Sequence, residues 1–245
     1  MGLTGVGGGA LMTPILVLLF GTAAAVAVGT DLWFAALTKA VGGALHHGRG
    51  TVDWQVLRRL WSGSLPAALL TLLWLHWSGI GRRHDGGLLV ALGGVLVLTA
   101  LAMLLKNRIH AYGQGLRTQT PAAFRRAQPG LTVLAGAVLG FLVTLTSVGA
   151  GALGTVMLVY LYPRRLTPAR LVGTDILHAV PLTVLAGSGH LLLGNVDLPL
   201  LGSLLLGSIP GVLLGAHFST RAPDRLLRPG IAVVLALVGG KLLLG

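Results

Sequence analysis

Two aspartates lie where a carboxylate is costly. Asp31 and Asp175 each close a Val-Gly-Thr-Asp tetrad inside an apolar stretch, about eight and five residues from its start, which is roughly 8 to 12 Å along a helix. A carboxylate within a hydrocarbon layer needs a partner or a purpose. Two uses fit: coupling to H⁺ or Na⁺, or accepting backbone N–H groups so as to hold a nearby turn. Thr30 and Thr174, next to them in sequence, add hydroxyls. Lys39 is a cation inside an apolar stretch. It can bind an anionic substrate group, neutralise Asp31, or extend its long stem toward the interface. His178 follows Asp175 by three residues, so the two share a helix face and can pass a proton, or the histidine can simply pack and hydrogen-bond there.

A second group consists of glycines. Gly7, Gly8 and Gly9 in the first half, and Ser147, Gly149 and Gly151 in the second, lie at breaks in apolar stretches. A helix that starts at such a break presents unpaired N–H groups and a positive dipole end, which suits an anionic oxygen group. The plainer reading is that the glycines permit tight packing. With no Cys and no Glu, thiol chemistry and disulfides are excluded. His46 and His47 are adjacent and point to different helix faces, a poor metal pair. No phosphate-binding loop, serine triad or metalloprotease spacing appears, so no catalytic residue, metal, cofactor or enzymatic activity is expected.

The elements that carry these residues are membrane helices. Hydrophobic residues make up 54% of the chain and charged ones 10%, and several apolar runs reach the roughly 18 to 20 residues that span a bilayer. The net charge of +12 sits in short arginine clusters between these runs, with little aromatic interleaving for base stacking, so nucleic acid is not expected as a partner. Basic loops retained on the cytoplasmic side explain the charge.

The chain repeats itself. Residues 28–66 align without a gap on residues 172–210, matching Val-Gly-Thr-Asp, His46 with His190, Gly50 with Gly194, Asp53 with Asp197 and Pro66 with Pro210. Upstream, Val6 to Leu11 echoes Val148 to Leu153 with an offset two residues shorter. Asp53 and Asp197 read as helix N-caps. Gly207, Gly211 and Gly215, mirrored by Gly63, Ala67 and Thr71, make a small-residue face for helix packing. Trp54, Trp61, Trp74, Trp77, Tyr160 and Tyr162 fall near span ends and read as an interfacial belt. The fold expected is all-α and polytopic, with a first repeat over 1–106, a cytoplasmic linker over 107–129 and a second repeat over 130–245.

Each repeat is expected to hold a re-entrant or broken helical hairpin and three transmembrane helices. Leu131 to Tyr162 as one helix would measure roughly 48 Å, against a hydrocarbon core of about 30 Å. Folding back at Gly149 leaves three crossings per repeat, an odd number, so the two copies should be inverted. The arginines agree: Arg49, Arg58 and Arg59 follow the second segment of the first copy, whereas Arg164, Arg165 and Arg170 follow the broken segment of the second.

The Gly-rich opening ending in Ala-Leu-Met-Thr-Pro, the Val-Gly-Thr-Asp segment, and the recurrence of both motifs in the second half resemble the TauE/SafE family of sulfite exporters over nearly the whole chain. The resemblance implies transport of small anions, such as sulfite or organosulfonates, across a bacterial inner membrane. Only six residues precede Gly7, whereas a full helix precedes Gly149. The leading half of the first hairpin is therefore expected to be nearly absent, through a late start or a truncation. The leading functional reading is a secondary transporter working by alternating access. A membrane scaffold and a passive anion channel are the alternatives. Expected partners are a small anionic solute, the lipid bilayer, a coupling H⁺ or Na⁺, and a second copy of the chain as a homodimer.

Overall fold

A computed structural model describes residues 9–48, 50–79, 86–119, 121–218 and 224–244. Among these the chain forms nine helices: α1 (Gly9–Leu18), α2 (Ala24–Gly48), α3 (Trp54–Ser78), α4 (Gly86–Gln119), α5 (Pro121–Thr146), α6 (Ala152–Leu161), α7 (Pro168–Leu192), α8 (Leu198–Phe218) and α9 (Asp224–Leu244). Stretches 86–106, 124–146 and 168–192 are long and apolar enough to cross a membrane. The expected linker is helical in its described residues: α4 continues to Gln119 and α5 starts at Pro121.

Local chemistry sets the helix ends. Asp53 caps α3 by accepting the Val56 N–H at 3.2 Å, and Asp197 caps α8 by accepting that of Leu200 at 2.9 Å, as both were expected to do. Thr167 and Pro168 open α7, where proline loses nothing by lacking a first-turn donor. Gly79 closes α3 at φ 69°, a left-handed conformation that glycine adopts without steric cost.

The broken segment folds back. Gln128 Nε2, near the start of α5, donates to the Leu161 carbonyl at the end of α6 at 2.6 Å. Thr132 Oγ1 and the Tyr162 hydroxyl lie 2.8 Å apart. The ten residues of α6 span only about 15 Å, too short to cross the core. The hairpin packs on α3 through backbone contact: a Cβ at Gly63 would collide with the Val133 carbonyl, and Cβ atoms at Gly136 and Gly140 with those of Leu60 and Ser64. Close approach of this kind replaces the hydrophobic drive that lipid does not supply. On α8 the matching small face is different, because a Cβ at Gly207 would meet nothing within 4 Å. The side chains of 211 and 215 lie outside the described residues.

Two sets of helices that match in the repeat also pack together, α4 with α9 and α2 with α7. Gly93 of α4 and Gly239 of α9 each face the other's carbonyl. Between α2 and α7 the exchange extends to their neighbours. The Thr174 hydroxyl accepts the Asp53 N–H at 3.0 Å, and the Thr30 hydroxyl accepts the Asp197 N–H at 3.1 Å. A Cβ on Gly173 would strike the Thr51 carbonyl, and one on Gly29 that of Asn195. Trp54, Trp74 and Trp77 are exposed near helix ends, as a belt requires, but Tyr162 is fully buried, where its hydroxyl bonds within the hairpin.

Candidate functional site

The tip of the second hairpin is the centre around which the candidate residues gather. Between α5 and α6 the backbone leaves helical geometry at Ser147 (φ 58°) and Gly149 (φ 116°). A side chain at 149 would be strained whatever space it found, which accounts for that glycine. Ser147 is the one non-glycine residue with positive φ among the described residues. Ser147 N–H closes α5 on the Val143 carbonyl at 2.8 Å, and the α6 ladder begins with Gly154 N–H on the Gly149 carbonyl at 3.1 Å. The N–H groups ahead of Gly154 belong to the unpaired first turn of a helix and carry its positive dipole end. The tip, residues 147–150, is buried.

Each aspartate abuts the helix that leaves the hairpin of its own repeat. Asp31 is fully buried and its Oδ2 accepts the Thr13 hydroxyl of α1 at 2.6 Å. Ser147 Oγ lies within electrostatic influence of the same carboxylate, and Asp31 Oδ1 and Ser147 Oγ have no hydrogen-bond partner. Asp175 Oδ1 lies against Gly154 in the first turn of α6, in the position a Cβ there would occupy. It too is buried without a hydrogen-bond partner. Lys39 lies within electrostatic reach of both carboxylates.

The remaining candidates take their places around this centre. Thr30 and Thr174 lie one residue before the carboxylates, their hydroxyl oxygens engaged by the Asp197 and Asp53 amides. His178 is fully buried and lies 2.9 Å from Ser64 Oγ of α3, while its carbonyl accepts Trp61 Nε1–H at 3.3 Å. Its ring is thus turned toward α3. Gly151 is the N-cap of α6. Gly9 begins α1, whereas Gly7 and Gly8 lie outside the described residues. Among the described residues, no group of three or more His, Cys, Asp or Glu could hold a metal ion.

Four participants did not stand out in the sequence. Thr13 could have been found from the repeat, because it aligns with Thr155 at the hairpin offset. The Thr155 hydroxyl instead bonds the Gly151 carbonyl. Ser64 lies in the repeated Gly-Ser-Leu/Ile-Pro match, but nothing local tied it to His178. His190 Nε2–H donates to the Thr144 carbonyl in the last turn of α5 at 2.9 Å, joining the end of α7 to the tip. Arg165 forms a two-pronged pair with Asp53, at 2.7 Å from Nε to Oδ2 and 2.9 Å from Nη2 to Oδ1, and its guanidinium lies 5.8 Å from the Tyr162 ring centroid.

Comparison with known proteins gives this arrangement a context. A family model described as "Sulfite exporter TauE/SafE" matches residues 1–242. The "Probable membrane transporter protein YjnA" of Bacillus subtilis (strain 168) is 40% identical over 245 residues, which cover 99% of this chain and 94% of that protein. The "Probable membrane transporter protein YdhB" of the same organism is 28% identical over 247 residues, covering 98% and 93%. No solved structure matches.

Proposed function

The chain belongs to the sulfite exporter TauE/SafE family, a family of multi-pass membrane transporters rather than enzymes, and on that premise we propose that it carries a small sulfur oxyanion or organosulfonate by alternating access around the hairpin tip. The observation that carries this reading is the break at Ser147 to Gly151, buried over residues 147–150, whose helix-start N–H groups supply fixed positive dipoles without a mobile charge. Lys39 adds a cation within electrostatic reach of both carboxylates, so a bound anion would not face uncompensated Asp31 and Asp175. Gly149 and Gly151 let an oxyanion approach the backbone, and Thr30 and Thr174 hold the necks of α2 and α7 beside it.

Alternating access needs two halves that can rock against each other, and the reciprocal bonds support an inverted pair. The start of α3 meets the first turns of α7, and the start of α8 meets the first turns of α2. These contacts fit copies that run in opposite directions. In the same reading Arg58, Arg59, Arg125, Arg126, Arg164, Arg165 and Arg170 gather at one end, the cytoplasmic one.

Flux into proteoliposomes tests the substrate. Sulfite, sulfate, thiosulfate and small sulfonates are offered to protein shown to be folded, under imposed pH and Na⁺ gradients. Saturable uptake of at least one, abolished by Gly149→Leu and reduced by Lys39→Ala, is the expected result. No uptake of any would remove the anion assignment and leave a scaffold. Uptake that never saturates would make the protein a channel.

A further inference from the structure

The two repeat-related carboxylates have acquired different surroundings. Asp175 Oδ1 lies against Gly154 in the first turn of α6, and the residue matching Lys39 in the second copy is Thr183, whose hydroxyl bonds the Ala179 carbonyl at 2.8 Å. Asp31 has two neutral hydroxyl oxygens beside it and also lies within reach of the Lys39 charge. Thr13 Oγ1 is 2.6 Å from Oδ2, and Ser147 Oγ stands beside it from the other repeat. The residue matching Ser147 in the first copy is Gly5, which has no hydroxyl. Asp31 Oδ1 and Ser147 Oγ are both buried and unpartnered. Ser147 directly follows Thr146, the last residue of α5, so the C-terminal end of that helix adjoins this point. Its last carbonyls lack intrahelical donors and carry the negative dipole end, and of these the Thr144 carbonyl is taken by His190.

One carboxylate, two hydroxyl oxygens and the carbonyl end of a broken helix form an all-oxygen donor set of low total charge. Such a set suits a hard monovalent cation better than a divalent one, which would call for more carboxylates. We propose that Asp31, Thr13 and Ser147, at the carbonyl end of α5, bind a small alkali cation of the sodium class. The anion and the cation would then use opposite ends of the same break: the N–H start of α6 for the anion and the carbonyl end of α5 for the cation. Only this pairing with the anion rests on the function proposed above. Cation binding itself is a property of the folded chain.

Equilibrium binding of radiolabelled Na⁺ to the purified full chain, in choline chloride and without any anionic substrate, tests the site. Saturable binding displaced by unlabelled Na⁺ but not by choline is expected. Asp31→Asn should weaken it by at least about tenfold, since a buried charged ligand is lost, and Ser147→Ala by a smaller factor. Asp175→Asn should bind like the parent. Thr13→Val keeps the site falsifiable if Asp31→Asn fails to fold, because it removes a ligand oxygen while keeping side-chain volume. Absence of saturable binding in folded parent protein overturns the proposal. So does equal loss in Asp175→Asn and Asp31→Asn. Anion flux measured separately in K⁺ medium distinguishes the two readings: flux without Na⁺ binding overturns the cation site alone, and Na⁺ binding without flux of any anion overturns the transport reading alone.

Discussion

Asp53 combines three roles in one residue. Oδ1 caps α3 at Val56 N–H, both oxygens receive Arg165, and its own N–H is fixed by Thr174. Asp197, its repeat mate, keeps the cap and the threonine, but no arginine occupies the matching position. Removing the cap should cost about 1 kcal/mol. The ion pair should be worth about 1 kcal/mol or less, because the Arg165 side chain is 39% exposed and screened by water. Asp53→Ala should therefore lower the unfolding midpoint in detergent more than Asp53→Asn, which retains a capping oxygen, and Arg165→Ala should resemble the asparagine variant. Adding Arg165→Ala to Asp53→Ala should change little further; additive losses would show that Arg165 works elsewhere. Gly154 gives a prediction about activity. Because a Cβ there would fall on Asp175 Oδ1, Gly154→Ala must displace the carboxylate, and flux should fall by about tenfold or more for a shift of that kind. Unchanged flux in this variant would remove Asp175 from the transport path.

Among the elements, the pairing of α3 with α5 and the exposed face of α8 form a contrast. Gly136 and Gly140 each meet an α3 carbonyl, whereas Gly207 meets nothing. Gly140→Leu should overpack the seam and destabilise the fold by about 1–3 kcal/mol or more, while Gly207→Ala should be neutral or stabilise α8 by up to about 1 kcal/mol. Thermal unfolding of both in one detergent would check this, and equal loss would mean that α8 has a partner at Gly207. The same contrast marks how far sequence reasoning reaches. Small residues every fourth position at Gly63 and at Gly207 say that a helix can be approached closely, and only tertiary structure says which one is. The fold-back at Gly149 was legible because length is a local property measured against a fixed bilayer. The caps at Asp53 and Asp197 were legible because a cap acts within three residues. The pairing of Arg165 with Asp53, 112 residues away, was not, since no local pattern chooses a partner across the fold.

At the scale of the whole molecule, the arginines and the reciprocal bonds make one joint prediction. The Asp53–Arg165 pair joins the loop before α3 to the loop after α6, and Gln128 joins the start of α5 to the same end. If the copies are inverted, this end is cytoplasmic. The opposite end then carries the loop after α1 and the loop between α7 and α8, residues 19–23 and 193–197, which contain no Lys or Arg. With no native cysteine, single cysteines report orientation directly. Gly21 and Gly194 are poor positions because their φ values of 63° and 77° strain any side chain. Phe20, next to Gly21, and Leu192, two residues before Gly194, are exposed, and Arg58 and Arg164 are exposed at the other end. In intact cells a membrane-impermeant maleimide should label Phe20→Cys and Leu192→Cys and spare Arg58→Cys and Arg164→Cys until the membrane is opened. Parallel copies would instead send the loops after α1 and α6 to the same side, since they are repeat mates, and the loops after α2 and α7 likewise. Phe20→Cys would then share its labelling with Arg164→Cys, and Leu192→Cys with Arg58→Cys, an outcome that would end the inverted reading and with it the rocking of one half against the other.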